Sequence, residues 1–481
     1  MTRSGGRSRG ADLHRRLLDG VQVCSRAAHH NARPLPILRG LTPKCVFTAP
    51  LDTVLCNTAD LLVQSNRIYS YGNEIVCEVG DNNNRRLQSL AIDGRVEPVA
   101  SGVLANLFVC ELSNNAPEAA PVQFPPPRQF IELLVNHEPT TRRIPEIRTY
   151  SRRPLFDDDF QYRDAGWHPS VGYLIHSPEI EPILPSRLHD NPRDNIPSTL
   201  MRVLQDFSLK SVVDLINVVG VLLTGLLIEM FVARGKAVVL LDGNQQGVGK
   251  TLLARIITLI LDGDEPDTIH FTPNDEELAK RICAGLRERA GSVILIDNAK
   301  LRSGDAISSA TIESNSVAPR ISLRILGKSV NFTRPNDLLW FITMNDTKTS
   351  PDLMSRGIPI RFHYDGDPGN RDFGDRNPLD AALRHRHQIL GELAGLVIRW
   401  NQLGRPRGRC RHRLQFWAST IGGILDANGL HGFLTNLAEA NASFNSGLEE
   451  LAALAEMALR WFPQMIQTTS NQEMHDDSGR S

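Results

Sequence analysis

"LLDGNQQGVGKTLLARI", residues 240–256, sets three glycines, a lysine and a threonine between an apolar run and a stretch with helical periodicity. The preceding "KAVVLLDG" reads as a buried strand and the following "KTLLARIITLIL" as an amphipathic helix, which puts the glycines at a strand-to-helix turn. Backbone N–H groups at such a turn, with one ammonium in reach, are suited to holding several phosphate charges. On that reading Gly243, Asn244, Gln245, Gln246, Gly247, Val248, Gly249, Lys250 and Thr251 form a nucleotide-phosphate loop, with Lys250 aimed at the β- and γ-phosphates of ATP and Thr251 a ligand of Mg²⁺. Strict G-x-x-x-x-G-K-[ST] spacing asks for glycine at 244, where the chain has Asn, and Gly243 falls one residue early. Asn tolerates left-handed φ better than most residues, so the turn is expected to survive with Asn244 there.

A bare G-K-[ST] triplet is common, so its setting must carry the assignment. "GKS" at 327–329 lacks the strand–loop–helix setting and reads as a hairpin turn. The 243–251 loop has that setting and two further partners. "SVILIDN" is a second apolar strand whose end places Asp297 as the carboxylate that holds Mg²⁺ from the neighbouring strand. "LLWFITMND" is a third, and Asn345 after it is placed to orient attacking water or sense the γ-phosphate. Strands alternating with helices at this spacing predict an α/β fold with a parallel sheet covered on both faces. Of the eight lysines, six (236, 250, 280, 300, 328, 348) lie in this segment, although arginine dominates the 53 basic residues. Lysine kept where arginine is the default points to sites that need a compact ammonium.

The rest of the chain bounds the possibilities. At 481 residues it exceeds a single core and predicts two or three domains. A net charge of −1 means that any nucleic-acid contact must come from local basic patches. Seven scattered cysteines, none in a C-x-x-C pair, argue for reduced thiols in a cytoplasmic setting and against a zinc ribbon. The most apolar segment, Val212 to Ala233, is broken by Asp214, Asn217 and Glu229; it reads as a buried helix and not as a membrane span. No apolar h-region follows the N-terminus, so no secretion signal is expected.

With the loop, "ILIDN" and "FITMND…SPDLMSRGIPIRF" in view, the chain resembles the AAA+ ATPases of superfamily-three helicase type, and more narrowly the ATPase half of phage and plasmid primase–helicase proteins. The likeness spans residues 140–435. It implies a P-loop, AAA+-like parallel-sheet core with an N-terminal α+β accessory region and a helical C-terminal region. Charge, alternation and helical periodicity along the chain set the boundaries: a disordered, Arg-rich basic arm at 1–40, the accessory region at 41–200, the ATPase core at 201–365, the helical region at 366–465 and a disordered tail at 466–481. The resemblance also implies a ring-forming homo-oligomer, single-stranded DNA or a DNA fork as partner, a separate primase or replication initiator, and no membrane. In such a ring a neighbour's arginine completes each site. Arg356 is the first choice for that role, with Arg324 and Arg320 as alternatives. "RISLRILGKSVNF" alternates like a hairpin, and superfamily-three helicases carry a DNA-tracking hairpin here, which makes Lys328 at its tip the DNA-binding candidate.

One departure matters. Helicase ATPases commonly follow the metal aspartate with a second acid, and this chain has Asn298. The water-activating base is then sought in "TPNDEELAKRI", at Glu277 or Glu276, two acids that equally suit a solvated first helical turn. "FDDDF" at 156–160 lacks the setting of a polymerising primase site and reads as a turn. "RPRGRCRHR", 405–413, would put several arginines on one face if extended, either to grip phosphates or as a solvated loop. Two readings follow: an ATP-hydrolysing, helicase-like DNA motor of a mobile-element replication system, or a nucleotide-gated oligomeric DNA-binding regulator that unwinds nothing.

Overall fold

The computed structural model describes residues 44–46, 50–72, 74–80, 85–92, 94–112, 122–288, 291–299, 307–327, 331–345, 349–370, 377–440 and 456–457. The arm at 1–40, the tail at 466–481 and Lys328 lie outside the described residues. The chain divides into two compact units. Unit 1 comprises residues up to 180 together with 283–291 and 319–337; unit 2 comprises the remainder.

The elements used below are, in chain order, α1 (Val212–Leu226), β1 (Val238–Gly243), α2 (Lys250–Asp262), β2 (Thr268–His270), α3 (Asp275–Glu288), β3 (Val293–Asp297), β4 (Arg320–Arg324), β5 (Asn331–Pro335), β6 (Leu339–Thr343), β7 (Gly357–Phe362), α4 (Arg386–Gln402) and α5 (Gln415–Ala427). In unit 2 five strands form a parallel sheet in the order β2–β3–β6–β1–β7. The central strands β6 and β1 are continuous apolar runs with hardly a polar side chain, as expected for strands buried on both faces. The order corrects one sequence expectation. The strand of Asp297, β3, does not pair with the loop strand β1; β6 lies between them, hydrogen-bonded to both.

α1 is the buried helix that the sequence predicts. From Asp214 to Leu226 every residue is buried, and a fully buried apolar side chain here contributes about 1.5–3 kcal/mol. Its polar interruptions are paired. Asp214 Oδ1 accepts from Arg361 N–H (2.9 Å) and Asn436 Nδ2 (2.7 Å). Asn217 donates to Pro359 O (2.8 Å) and accepts from Leu434 N–H (3.2 Å). The segment that looked most membrane-like is therefore stitched through its polar groups to β7 and to the chain after α5. Among the described residues no helix is long and apolar enough to cross a membrane.

Unit 1 is α+β. A five-stranded sheet runs Arg95–Val96, Arg86–Ile92, Glu74–Val79, Ile68–Tyr71, Glu146–Ile147, and a three-stranded one runs Lys44–Val46, Val109–Leu112, Val122–Phe124. Helices Leu51–Gln64 and Arg128–Asn136 supply Val54, Leu55, Leu62, Phe130, Ile131 and Leu134 to its main core. The expected hairpin is present as antiparallel β4–β5, with Arg320 opposite Pro335 and Arg324 opposite Asn331. Ile321, Leu323, Ile325 and Phe332 form its buried face. The hairpin is rooted in unit 1: Arg334 donates to Tyr71 Oη and to Asp337 Oδ1 (both 2.7 Å), and Tyr71 donates to Asp337 Oδ2 (2.8 Å).

Candidate active site

The loop quoted above joins β1 to α2. Left-handed backbone occurs at Gly247 (φ 79°) and at Gly249 (φ 103°), the residue before the first turn of α2. A Cβ at Gly249 would stand 3.2 Å from the Phe207 ring, and one at Gly247 3.2 Å from Pro368, so the loop follows a path that side chains would obstruct. No side chain caps α2, which leaves its first-turn N–H groups facing the loop, where an anion is favoured.

Asn244 is not the left-handed residue that its position in the motif led us to expect. Its side chain accepts from Tyr364 N–H (3.2 Å) and donates to Tyr364 O (2.9 Å), a two-point clasp onto the chain after β7. Gln245 reinforces it by donating to Tyr364 O (2.7 Å) and Gly366 O (2.8 Å). An amide at 244 thus does by clasping what glycine would do by turning.

Lys250 is buried, and its ammonium donates to Gln245 O (2.9 Å) and Asn345 Oδ1 (2.7 Å). Asn345 follows β6, so the sheet brings the expected sensor residue onto the loop lysine. Thr251 donates to Asp297 Oδ1 at 2.7 Å. A third partner went unnoticed in the sequence: Thr343 donates to the same carboxylate oxygen (2.6 Å) and its Oγ1 accepts from Asn298 N–H (2.7 Å). The signal was available in "FITMN", because residues two apart on a strand share a face and Thr343 is two before Asn345. Asn298 itself is left-handed (φ 54°), a conformation Asn supports more readily than most residues.

Hard oxygen donors converging at Thr251 and Asp297, beside a buried ammonium and an open helix N-terminus, fit Mg²⁺ and a polyphosphate. Elsewhere, Asp52, Cys56 and His137 bring one ligand atom each within 4.8 Å, but His137 Nε2 is already 2.8 Å from Asp52 Oδ1. We expect Thr343→Val to raise the Mg²⁺ concentration needed for half-maximal hydrolysis by about 10–100-fold, the usual effect of losing a group that holds a metal ligand. Nucleotide affinity without Mg²⁺ should stay unchanged. A Mg²⁺ titration overlaying that of the wild type would remove Thr343 from the site.

The other expected residues have different surroundings. Glu277, in the first turn of α3, pairs with Arg281 (3.0 Å) one turn on, and Glu276 pairs with Lys280 (2.8 Å). Both follow β2, the edge strand of the sheet, in the chain. Arg356 is 14% exposed, ion-paired with Asp352 (2.8 Å) and bonded to Glu313 O. Arg320 and Arg324 sit on the exposed face of β4.

The fold is thus mixed α/β, a five-stranded parallel sheet with a glycine loop between strand and helix. No protein-family model matches the chain, and no curated protein matches it. Among solved structures it is similar to the apo C-terminal region of NrS-1, at 12% identity and a TM-score of 0.38, over 71% of this chain and 68% of that one. It is similar to SCCmec type IV Cch, described as an active helicase, at 11% identity and a TM-score of 0.32, over 82% of each chain. For JCV helicase the values are 16% and 0.22, over 54% of this chain and 74% of that one. The overlap at these scores is partial, and the functional reading stands on this chain's own side chains.

Proposed function

We propose that the chain is an ATP-hydrolysing DNA motor of helicase type, serving the replication system of a phage, plasmid or other mobile element. The observation that carries the ATPase reading is the convergence of Lys250 with Asn345 and of Thr251 with Asp297 around one strand-to-helix loop. In this reading residues 243–251 wrap the phosphates, Lys250 pairs with the β- and γ-oxygens, and Thr251 and Asp297 hold Mg²⁺. The metal, when bound, neutralises charge developing on the transferred phosphoryl group. Asn345 exchanges its bond to Lys250 for one to the γ-phosphate or the attacking water. Arg356 of a neighbouring subunit in a ring is the proposed charge-stabilising arginine, and it must leave Asp352 to act. Lys328, in the sequence between β4 and β5, is the proposed contact to single-stranded DNA, and priming would come from a separate protein in the cytoplasm.

Glu277 is the proposed water-activating base. Glu277→Gln should cut turnover at least about tenfold with unchanged ATP affinity, the pattern of an interaction made only in the transition state. Turnover equal to wild type would place the base elsewhere and favour the second reading, a nucleotide-gated oligomeric DNA-binding regulator. Asn298 in place of an acid, and the pairing of Glu277 with Arg281, are the observations on that side. ATP hydrolysis with and without single-stranded DNA, alongside mass determination with a non-hydrolysable analogue, separates the two. Stimulation by DNA supports a motor; slow, DNA-indifferent hydrolysis with nucleotide-dependent assembly supports a regulator.

A further inference from the structure

Between α4 and α5 the chain runs "RPRGRCRHR", residues 405–413, with five arginines and no acid. From Arg407 to Arg413 exposure alternates with a period of two, as in an extended chain: the arginines are exposed, while Gly408 is buried and Cys410 and His412 are partly so. The inward side is tied down along its length. Gly408 N–H donates to Ser419 O (2.8 Å), and a Cβ on Gly408 would fall 2.5 Å from the Gly422 carbonyl carbon, so backbone packs on backbone against α5. Trp400 Nε1 donates to Pro406 O (2.8 Å). His412 accepts at Nδ1 from Leu414 N–H (3.0 Å) and donates through Nε2 to Gly357 O (3.1 Å), which fixes a neutral tautomer. Burial also pushes this imidazole below its usual range, so the charge of the segment is that of its arginines. Trp400 and Trp417 are fully buried and anchor the segment from beneath, where they cannot stack on a base.

The outward side carries the arginines, whose Cα atoms in an extended chain recur about every 6.6–6.8 Å, twice the rise per residue; Arg407 turns back to donate to Thr420 Oγ1 of α5. That interval is comparable to the separation of neighbouring phosphates along an unstacked strand. Arg407 and Arg234 both lie over the Phe416 ring, 4.8 and 4.0 Å from its centroid, which gathers a further cation beside the row. Arg413 is partly spent on Asp352, and Arg405 Nε on Asn401 (2.7 Å). Among the described residues Arg409 and Arg411 have no hydrogen-bond partner.

We propose that residues 405–413 form a preorganised arginine strap that binds the phosphate backbone of a single-stranded nucleic acid without reading its sequence. The proposal deepens the DNA-motor reading and rests on it for its purpose, since it names a second strand contact, carried by unit 2. Rigidity favours this occupant: like charges held in a row repel, and a polyanion relieves that repulsion without a further ordering cost in the strap. Buried tryptophans leave phosphate contact as the recognition mode, so binding should be indifferent to base and steep in salt.

The test is fluorescence anisotropy of a labelled oligonucleotide of mixed sequence across a salt series, for the wild-type chain and for Arg409→Ala/Arg411→Ala. Two lost contacts should lower the slope of log K against log salt by about 1.4, at ~0.7 per single-strand phosphate, per bound chain. Basal ATP hydrolysis and mass should be unchanged, and Arg409→Lys/Arg411→Lys should restore most of the slope. An unchanged slope overturns the proposal, as does a wild-type chain that binds no single strand. A double variant that alters self-association but not the slope also overturns it and makes the strap a contact between copies. A lowered slope in a chain without ATPase activity upholds the strap and sinks only the motor.

Discussion

Lys250→Ala is expected to abolish ATP hydrolysis and to weaken nucleotide binding about 10- to 100-fold, the loss of roughly 1.5–3 kcal/mol for a hydrogen bond to a charged group. Its side-chain partner Asn345 carries no charge that could replace the ammonium. The substitution also removes a buried side chain, so Lys250→Met, which keeps the stem and discards the charge, should behave alike and controls for packing. Asp297→Asn should separate the two functions of the site. It keeps a group that Thr251 and Thr343 can bond but lowers its charge, so affinity for nucleotide should persist in part while Mg²⁺-dependent turnover is lost. Turnover by Lys250→Met near that of the wild type would end the assignment of residues 243–251 to phosphate.

The second large effect is on stability. Asp214→Ala should destabilise unit 2 by about 3–5 kcal/mol, because it strips the partner from a buried charge and from several buried donors at once. Arg361 N–H loses its acceptor, Asn436 Nδ2 is left with the longer bond to Pro359 O (3.4 Å), and the Arg361 guanidinium, 3.7 Å from Asp214, keeps Glu439 on the exposed side. Asn217→Ala should also destabilise, by about 1–3 kcal/mol for each group left unpaired, which are Asn436 Oδ1 and the Leu434 N–H, while the Pro359 carbonyl keeps a bond from Asn436 Nδ2 (3.4 Å). Denaturant unfolding followed by tryptophan fluorescence reads both, since Trp400 and Trp417 are buried in the same unit. Equal midpoints for Asp214→Ala and the wild type would mean that these polar groups find other partners and that the stitching of α1 is incidental.

Other residues mark what was legible in the sequence. That Lys250 and Thr251 meet Asn345 and Asp297 at one strand-to-helix turn could be read because the glycines, lysine and hydroxyl are close together in the chain and the partners each end a strand. The hairpin was legible for a similar reason, since alternation across a glycine turn is short-range. Thr343 and the clasp of Asn244 on Tyr364 were missed because each depends on which strand lies beside which, and strand order is set by packing over a hundred residues. The same limit placed β3 next to β1 when β6 intervenes. Glu277 was chosen for its charge where Asn298 replaces an acid, and in the structure it pairs with Arg281, supplied by ordinary helix spacing. The arginines of the strap were visible as a pattern, whereas what makes it extended, bare backbone on Gly422 and Gly423, was not.

Unit 1 is assembled from three separate stretches of chain, and this bears on how the protein can be cut. Between β3 and β6, neighbours in the sheet of unit 2, the chain spends residues 319–337 on the hairpin of unit 1. A fragment beginning at Glu181 would carry the complete glycine loop but would strand β4–β5 without its host. Ile321 and Phe332 would meet water, and Arg334 and Asp337 would lose Tyr71 from their buried triad. Such a fragment should be sticky and poorly soluble even with that loop intact. Dissection should therefore replace residues 320–335 by a short glycine–serine link at the same time, so that the cut follows the packing and not the order of the sequence.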